Sequence, residues 1–128
     1  MTETTVVTMH IGELAEQTGL SHRTIRHYDE VGLLEASGRS EGGFRLYTQA
    51  DLDRLLVIRR MKPLGFSLEE MMELLQVLDG LEDAPTGPDS PRLRDELAAF
   101  IADAEERRGK LVAQLSMADE FLGMLRRR

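Results

Sequence analysis

The sequence predicts a mostly α protein that carries one small β-hairpin. Three observations predict it. Apolar residues recur at i, i+3 and i+4 in short segments before residue 80, which is the spacing of amphipathic helices. The stretch Leu33 to Tyr47 breaks that spacing, is rich in glycine and ends in alternating polar and apolar residues. Beyond three prolines in residues 81–91, a proline-free stretch from Arg92 to Arg127 repeats apolar residues every seven positions.

Residues 1–9 are polar and β-branched and are expected to form a flexible lead. Ile11, Leu14 and Ala15 mark one buried stripe of a first helix, Ile11 to Thr18, which Gly19 ends because it can adopt a left-handed backbone. Ser21 is suited to cap a second helix, His22 to Val31, since its hydroxyl oxygen can accept from free backbone N–H groups of the first turn. Ile25 and Tyr28 form the inner face of that helix. His22, Arg23, Arg26 and His27 lie on the other side. Two helices joined by a tight glycine-containing turn, with cationic groups on the outer face of the second, form a helix-turn-helix.

The glycines between Leu33 and Tyr47 permit a hairpin whose apolar pieces are Leu33–Leu34 and Phe44–Tyr47. Arg39 lies at or near its tip. Arg45 and Tyr47 alternate with Phe44 and Leu46, so each pair shares a face. An arginine on a hairpin beside a recognition helix can reach a phosphate or the minor groove, so the hairpin is a candidate wing.

Thr48-x-x-Asp51 and Ser67-x-x-Glu70 have the pattern of capping boxes, in which two side chains satisfy the free backbone donors at a helix start. They open a third helix, with Leu52, Leu55 and Leu56 inward, and a fourth, with Leu68, Met71, Leu74, Leu75 and Leu78 inward. Gly80 is expected to close this unit. The expected organisation is therefore a lead over 1–9, a DNA-binding domain over 10–80, a linker loop over 81–91 and a long helix over 92–128.

That last helix spans about 50 Å at 1.5 Å per residue. Leu97, Ala104, Leu111, Ala118 and Leu125 are seven apart, and Leu93, Phe100 and Phe121 take the companion position. Ile101, Leu115 and Leu122 widen the stripe, while Arg107 and Gln114 interrupt it. A lone helix could not bury this stripe, and a two-copy coiled coil could, so these residues are the candidate dimerisation surface.

Composition narrows the function. There is no cysteine, which removes disulfides, thiolate metal sites and cysteine catalysis. No apolar run is long enough to span a membrane, and a cytoplasmic location is expected. No nucleophile–base set, phosphate loop or dinucleotide fingerprint is present, so no enzyme and no cofactor are expected. The net charge of −7 argues against nucleic acid until the chain is divided. Residues 1–62 hold 8 basic and 9 acidic side chains, a net of −1, whereas residues 63–128 hold 8 and 14, a net of −6. The acid therefore sits in the pairing half. His10, His22 and His27 offer no i, i+4 ligand pair, and no metal site is expected.

Taken together, IGELAEQTGLSHRTIRHYDEVGLL and GGFRLYTQADLDRLLVIRRMKPLGFSLEEM resemble the MerR family of bacterial transcription regulators. The resemblance covers about Ile11 to Met71, and the order of elements continues through the last helix. It implies a winged helix-turn-helix, a second helix pair and a homodimer built on an antiparallel coiled coil of the final helix. It also implies binding to a pseudo-palindromic promoter in double-stranded DNA, with distortion of that DNA to control RNA polymerase. By the same resemblance Ser21, His22, Arg23, Thr24, Arg26, His27 and Tyr28 form the recognition helix, with Arg39, Arg45 and Tyr47 on the wing. Lys62 is a backbone contact from the second helix pair. The family's cysteine-based metal sensing does not apply here, and a short form without a separate effector domain is expected. A small apolar effector near Phe100 or Phe121 stays open, as does the absence of one. Two other readings stand beside the regulator: an excisionase-like architectural protein, and a coiled-coil interaction module that does not bind DNA.

Overall fold

The computed structural model describes residues 8–36 and 38–128. In chain order these form β1 (Thr8–Met9), α1 (Ile11–Thr18), α2 (His22–Glu30), β2 (Gly38–Arg39), β3 (Arg45–Thr48), α3 (Gln49–Met61), a single 3₁₀ turn (Lys62–Leu64), α4 (Leu68–Asp83) and α5 (Ser90–Arg126). The architecture is mostly helical, with a small helix-turn-helix unit, a three-stranded sheet and a long last helix. The chain divides into two compact units within α4, after Met72.

In the first unit the local signals act as expected. Gly19 ends α1 with φ +73°, and its N–H donates to Ala15 O at 2.8 Å. Ser21 Oγ accepts from the backbone N–H of Thr24 at 3.1 Å and so starts α2. The Thr48 backbone N–H donates to Asp51 Oδ2 at 2.7 Å, and the Asp51 N–H returns to Thr48 Oγ1 at 3.3 Å. Ser67 and Glu70 repeat that reciprocal pattern at 3.0 and 3.1 Å. Each box satisfies donors that would otherwise lack a partner at a helix start, a contribution of about 1 kcal/mol. Leu14, Ile25, Leu55 and Ile58 are fully buried between these helices.

The sheet differs from the expectation in two places. Thr8 and Met9 are not a loose lead; they pair antiparallel with Thr48 and Tyr47 of β3, and Met9 is buried. Residues 1–7 lie outside the described residues. Leu33–Leu34 is not a wing strand either. Both side chains are buried, and both backbone N–H groups donate to Tyr28 O, at 2.9 and 3.1 Å, so the pair forms the turn that leaves α2. The strand opposite β3 is Gly38–Arg39, with Arg39 across from Arg45. The sheet order is therefore β1-β3-β2.

In the second unit α4 runs through Gly80 to Asp83 rather than stopping there. A Cβ on Gly80 would lie 2.8 Å from Leu93 Cδ1, so the missing side chain is what lets the start of α5 approach α4. The linker contracts to residues 84–89. Ser90 Oγ donates to Pro85 O at 2.8 Å, and Arg94 Nη2 donates to the same carbonyl at 2.8 Å. Pro91 sits in the first turn of α5, where its lack of an N–H costs nothing. Along α5, ion pairs of Arg92 with Glu96, Arg107 with Asp103 and Lys110 with Glu106 join side chains four apart. Hydrogen bonds from Arg107 hold the Asp103 carboxyl below its usual range.

Candidate nucleic-acid interface

Helix α2 presents its polar side chains by simple periodicity. Ile25 and Tyr28 turn inward and are buried, which leaves Ser21, His22, Arg23, Arg26 and His27 exposed and Thr24 half-buried. Arg23, Thr24, Arg26, His27, Tyr28 and Glu30 line an open concavity of about 740 Å³, and Lys62, from the turn after α3, completes its wall. Residues 32 to 39 positions apart in sequence thus share one basic surface, with Glu30 as its single acidic member. Tyr28 lines the concavity yet is only 3% exposed, so it supports this surface more than it projects from it.

The wing is held by its own turn chemistry. Gly43 takes φ +80°, the left-handed conformation that a three-residue hairpin loop requires. Ser40 and Phe44 close the loop through the Ser40 N–H to Phe44 O bond of 2.8 Å, and Arg39 Nη1 donates to Gly43 O at 3.0 Å. Arg39 and Arg45 stand directly opposite on neighbouring strands. Like charges placed so oppose sheet formation and favour an anion between or beside them.

On β3 the alternation holds. Arg45 and Tyr47 face the body of the unit, and Phe44 is 68% exposed. Both inward side chains converge on Asp29 of α2. Tyr47 has no exposed surface, and its hydroxyl donates to Asp29 Oδ2 at 2.9 Å. Arg45 Nε lies 3.6 Å from the same oxygen. Burial, then the hydrogen bond to Asp29 and its charge, push the Tyr47 hydroxyl up to about 12. The phenol is thus a neutral donor throughout the physiological range, engaged inside the fold and not on the open face. Asp29 escaped the sequence reading. The one signal it gave was an acidic residue at the end of a helix otherwise rich in cations, and its partners lie 16 and 18 residues further along.

A second, smaller concavity of about 260 Å³ lies between the wing and the start of α1, lined by His10, Ile11, Arg26, Gly43, Phe44 and Arg45. The His10 and Phe44 rings meet edge to face with centroids 6.2 Å apart. Among the described residues, no group of three or more His, Asp or Glu side chains is arranged to hold a metal ion. Among the same residues no helix is long and apolar enough to cross a membrane.

The expected pairing residues lie on α5. Leu93, Leu97, Phe100 and Ala104 are half-buried within the chain, while Leu111, Ala118, Phe121 and Leu125 are exposed.

Comparison with known proteins covers the same ground. A profile described as a MerR HTH family regulatory protein matches residues 9–78, and one described as MerR, DNA binding, matches residues 52–117. The mercuric resistance operon regulatory protein of Bacillus cereus is 48% identical over 69 residues, which is 54% of this chain and 52% of that one. The regulator YfmP of Bacillus subtilis is 38% identical over 104 residues, covering 80% of this chain and 67% of that one. Among solved structures, HiNmlR, described as a MerR family regulator lacking the sensor domain and bound to promoter DNA, superposes with a TM-score of 0.61 at 28% identity. That superposition covers 93% of this chain and 85% of HiNmlR. The chain spans about half the length of the first curated relatives it matches.

Proposed function

The chain belongs to the MerR HTH family of regulatory proteins, and from that premise we propose that it acts as a homodimeric, sequence-specific regulator of transcription. Two copies bind a pseudo-palindromic promoter site and distort it to control RNA polymerase. The observation that carries this reading is the convergence of Arg23, Arg26, His27 and Lys62 on one open concavity. Cations from two separate elements on one surface supply the phosphate contacts that set register, while the exposed face of α2 is free to reach base edges in the major groove. Within this reading, Ser21, His22, Arg23, Thr24, Arg26, His27, Arg39, Arg45 and Lys62 meet DNA. Tyr28 and Tyr47 hold the elements that carry them. The acting location is the cytoplasm.

Fluorescence anisotropy with a promoter fragment tests the proposal. Lys62→Ala should weaken binding evenly across sequences and lower the salt slope by about 1, as loss of one phosphate contact does. Arg23→Ala should weaken specific binding more than non-specific binding. Unchanged affinity and slope in both variants would overturn the interface. Footprinting separates the regulator from an architectural protein: the first protects one site between promoter elements, the second an extended array.

A further inference from the structure

Arg26 of α2 lines the larger concavity and the smaller one alike, and each of them holds one imidazole. His27 shares the larger one with Arg23 and Glu30 of its own helix and with Lys62 from the turn after α3. The buried Tyr28 ring lies 6.1 Å from the His27 ring. His10, the N-cap residue of α1, lines the smaller concavity with Arg26 and with Arg45 of β3. Two carboxylates stand near that second group. Glu13 Oε1 accepts from the His10 backbone N–H at 3.5 Å, and Asp29 Oδ2 is 3.6 Å from Arg45 Nε. Both histidines are exposed. His22 lines neither concavity; its ring lies over α1, where a Cβ on Gly12 would be 3.8 Å from Cε1.

Arginine and lysine carry their charge throughout the physiological range, whereas an imidazole carries one only toward its acid end. The two rings decide the sign of the unit that bears them. Residues 1–62 have a net charge of −1 with the histidines neutral and +1 once His10 and His27 are protonated. A DNA duplex presents one phosphate charge per about 1.7 Å of its axis. A phosphate beside an imidazole favours the charged ring, both by opposite charge and by accepting its N–H. Protons are therefore taken up as phosphates settle against Arg23, Arg26, Arg45 and Lys62. Uptake on binding makes affinity rise as pH falls, and a complex that gains one whole proton tightens about tenfold per pH unit.

Resting on the proposal that this surface binds double-stranded DNA, we infer that the binding is proton-linked through His10 and His27. The two imidazoles flank Arg26 as contacts that form when charged and lapse when neutral. Mild acidification thus tightens the hold on DNA with no small ligand and no metal.

The test uses the full chain and a fluorescein-labelled DNA duplex of mixed sequence, since phosphate contacts do not depend on sequence. Anisotropy titrations at constant salt should show affinity rising about tenfold between about pH 7.5 and pH 6.0. The salt slope should steepen over the same interval by about 1 for each imidazole that gains a phosphate contact. His27→Gln and His10→Asn, the second of which keeps a good helix cap, should each remove about half of the logarithmic response, and the double variant nearly all of it. His27→Lys, charged at both pH values, should bind at pH 7.5 more tightly than the parent does. Circular dichroism at both pH values checks that every variant is folded. Equal parent affinity at the two pH values, or a pH response that survives in the folded double variant, would overturn the inference while leaving DNA binding in place. No binding at either pH would remove the DNA-binding reading, and this inference with it.

Discussion

The first 72 residues and helix α5 handle apolar surface in opposite ways. Of the twelve large hydrophobic side chains exposed among the described residues, Val31, Phe44 and Leu68 precede residue 73, and the other nine lie on α5 between Ile101 and Leu125. In the first region Leu14, Ile25, Leu55 and Ile58 are sealed between short helices, and what remains outside is mostly charged, polar or glycine. The difference teaches that the first region covers its apolar side chains with its own helices, whereas α5 leaves a stripe exposed that the proposed pairing would cover. An isolated helix of this length carrying such a stripe would expose it at a cost that pairing removes.

That contrast can be broken at either end. Leu55→Ala empties a fully buried site and should cost about 3 kcal/mol in chemical unfolding of the first unit, within the usual range for such truncations, while leaving association intact. A loss below about 1 kcal/mol would mean that the core is less sealed than the burial indicates. Leu111→Asp should act in the reverse sense. It should weaken association about a hundredfold, or roughly 3 kcal/mol, and leave the first unit's unfolding unchanged, because it places a carboxylate in an apolar seam. A dimer persisting in sedimentation at micromolar concentration would remove α5 as the pairing element.

Two smaller effects sharpen the first region. Tyr47→Phe removes the hydrogen bond to Asp29 and should cost about 1–2 kcal/mol at neutral pH. The folded state holds this phenol protonated up to about 12 against an ordinary value of 10.0. Its contribution is therefore fully present below pH 10 and is lost as pH rises through 12. The stabilities of parent and variant, followed by denaturant titration, should converge across that window. A constant gap would show that the hydroxyl does not carry the difference. Ser67→Ala, at the exposed cap of α4, should cost about 1 kcal/mol and leave DNA affinity unchanged. Thermal unfolding reads the first and anisotropy the second.

Much of this was legible because it is local. Ser21, Thr48 with Asp51, and Ser67 with Glu70 reach partners three residues away, so their spacing in the sequence is already their geometry. The polar face of α2 follows from helical period in the same way. What escaped was set by distant partners. Thr8–Met9 is a strand only because β3, about forty residues on, supplies its hydrogen bonds. Leu33–Leu34 is a short apolar run, which periodicity cannot distinguish between strand and buried turn. Gly80 looked like a terminator, yet the neighbour that needs its bare backbone is Leu93. The partnership of Tyr47 and Arg45 with Asp29 joins positions with no regular spacing between them.

That partnership has a consequence for genetics. Asp29 joins the C-terminal turn of the recognition helix to the strand that carries the wing, through one carboxylate oxygen. In a screen for lost promoter activity, an Asp29→Ala allele should fall in the same class as alleles of the basic surface, though an aspartate would repel the phosphates and not bind them. A mutational map read without the structure would score it as a contact residue. Its carboxylate fixes the strand of Arg45 and Tyr47 against the helix that carries the basic residues, so its phenotype would report the alignment of the two proposed contact surfaces.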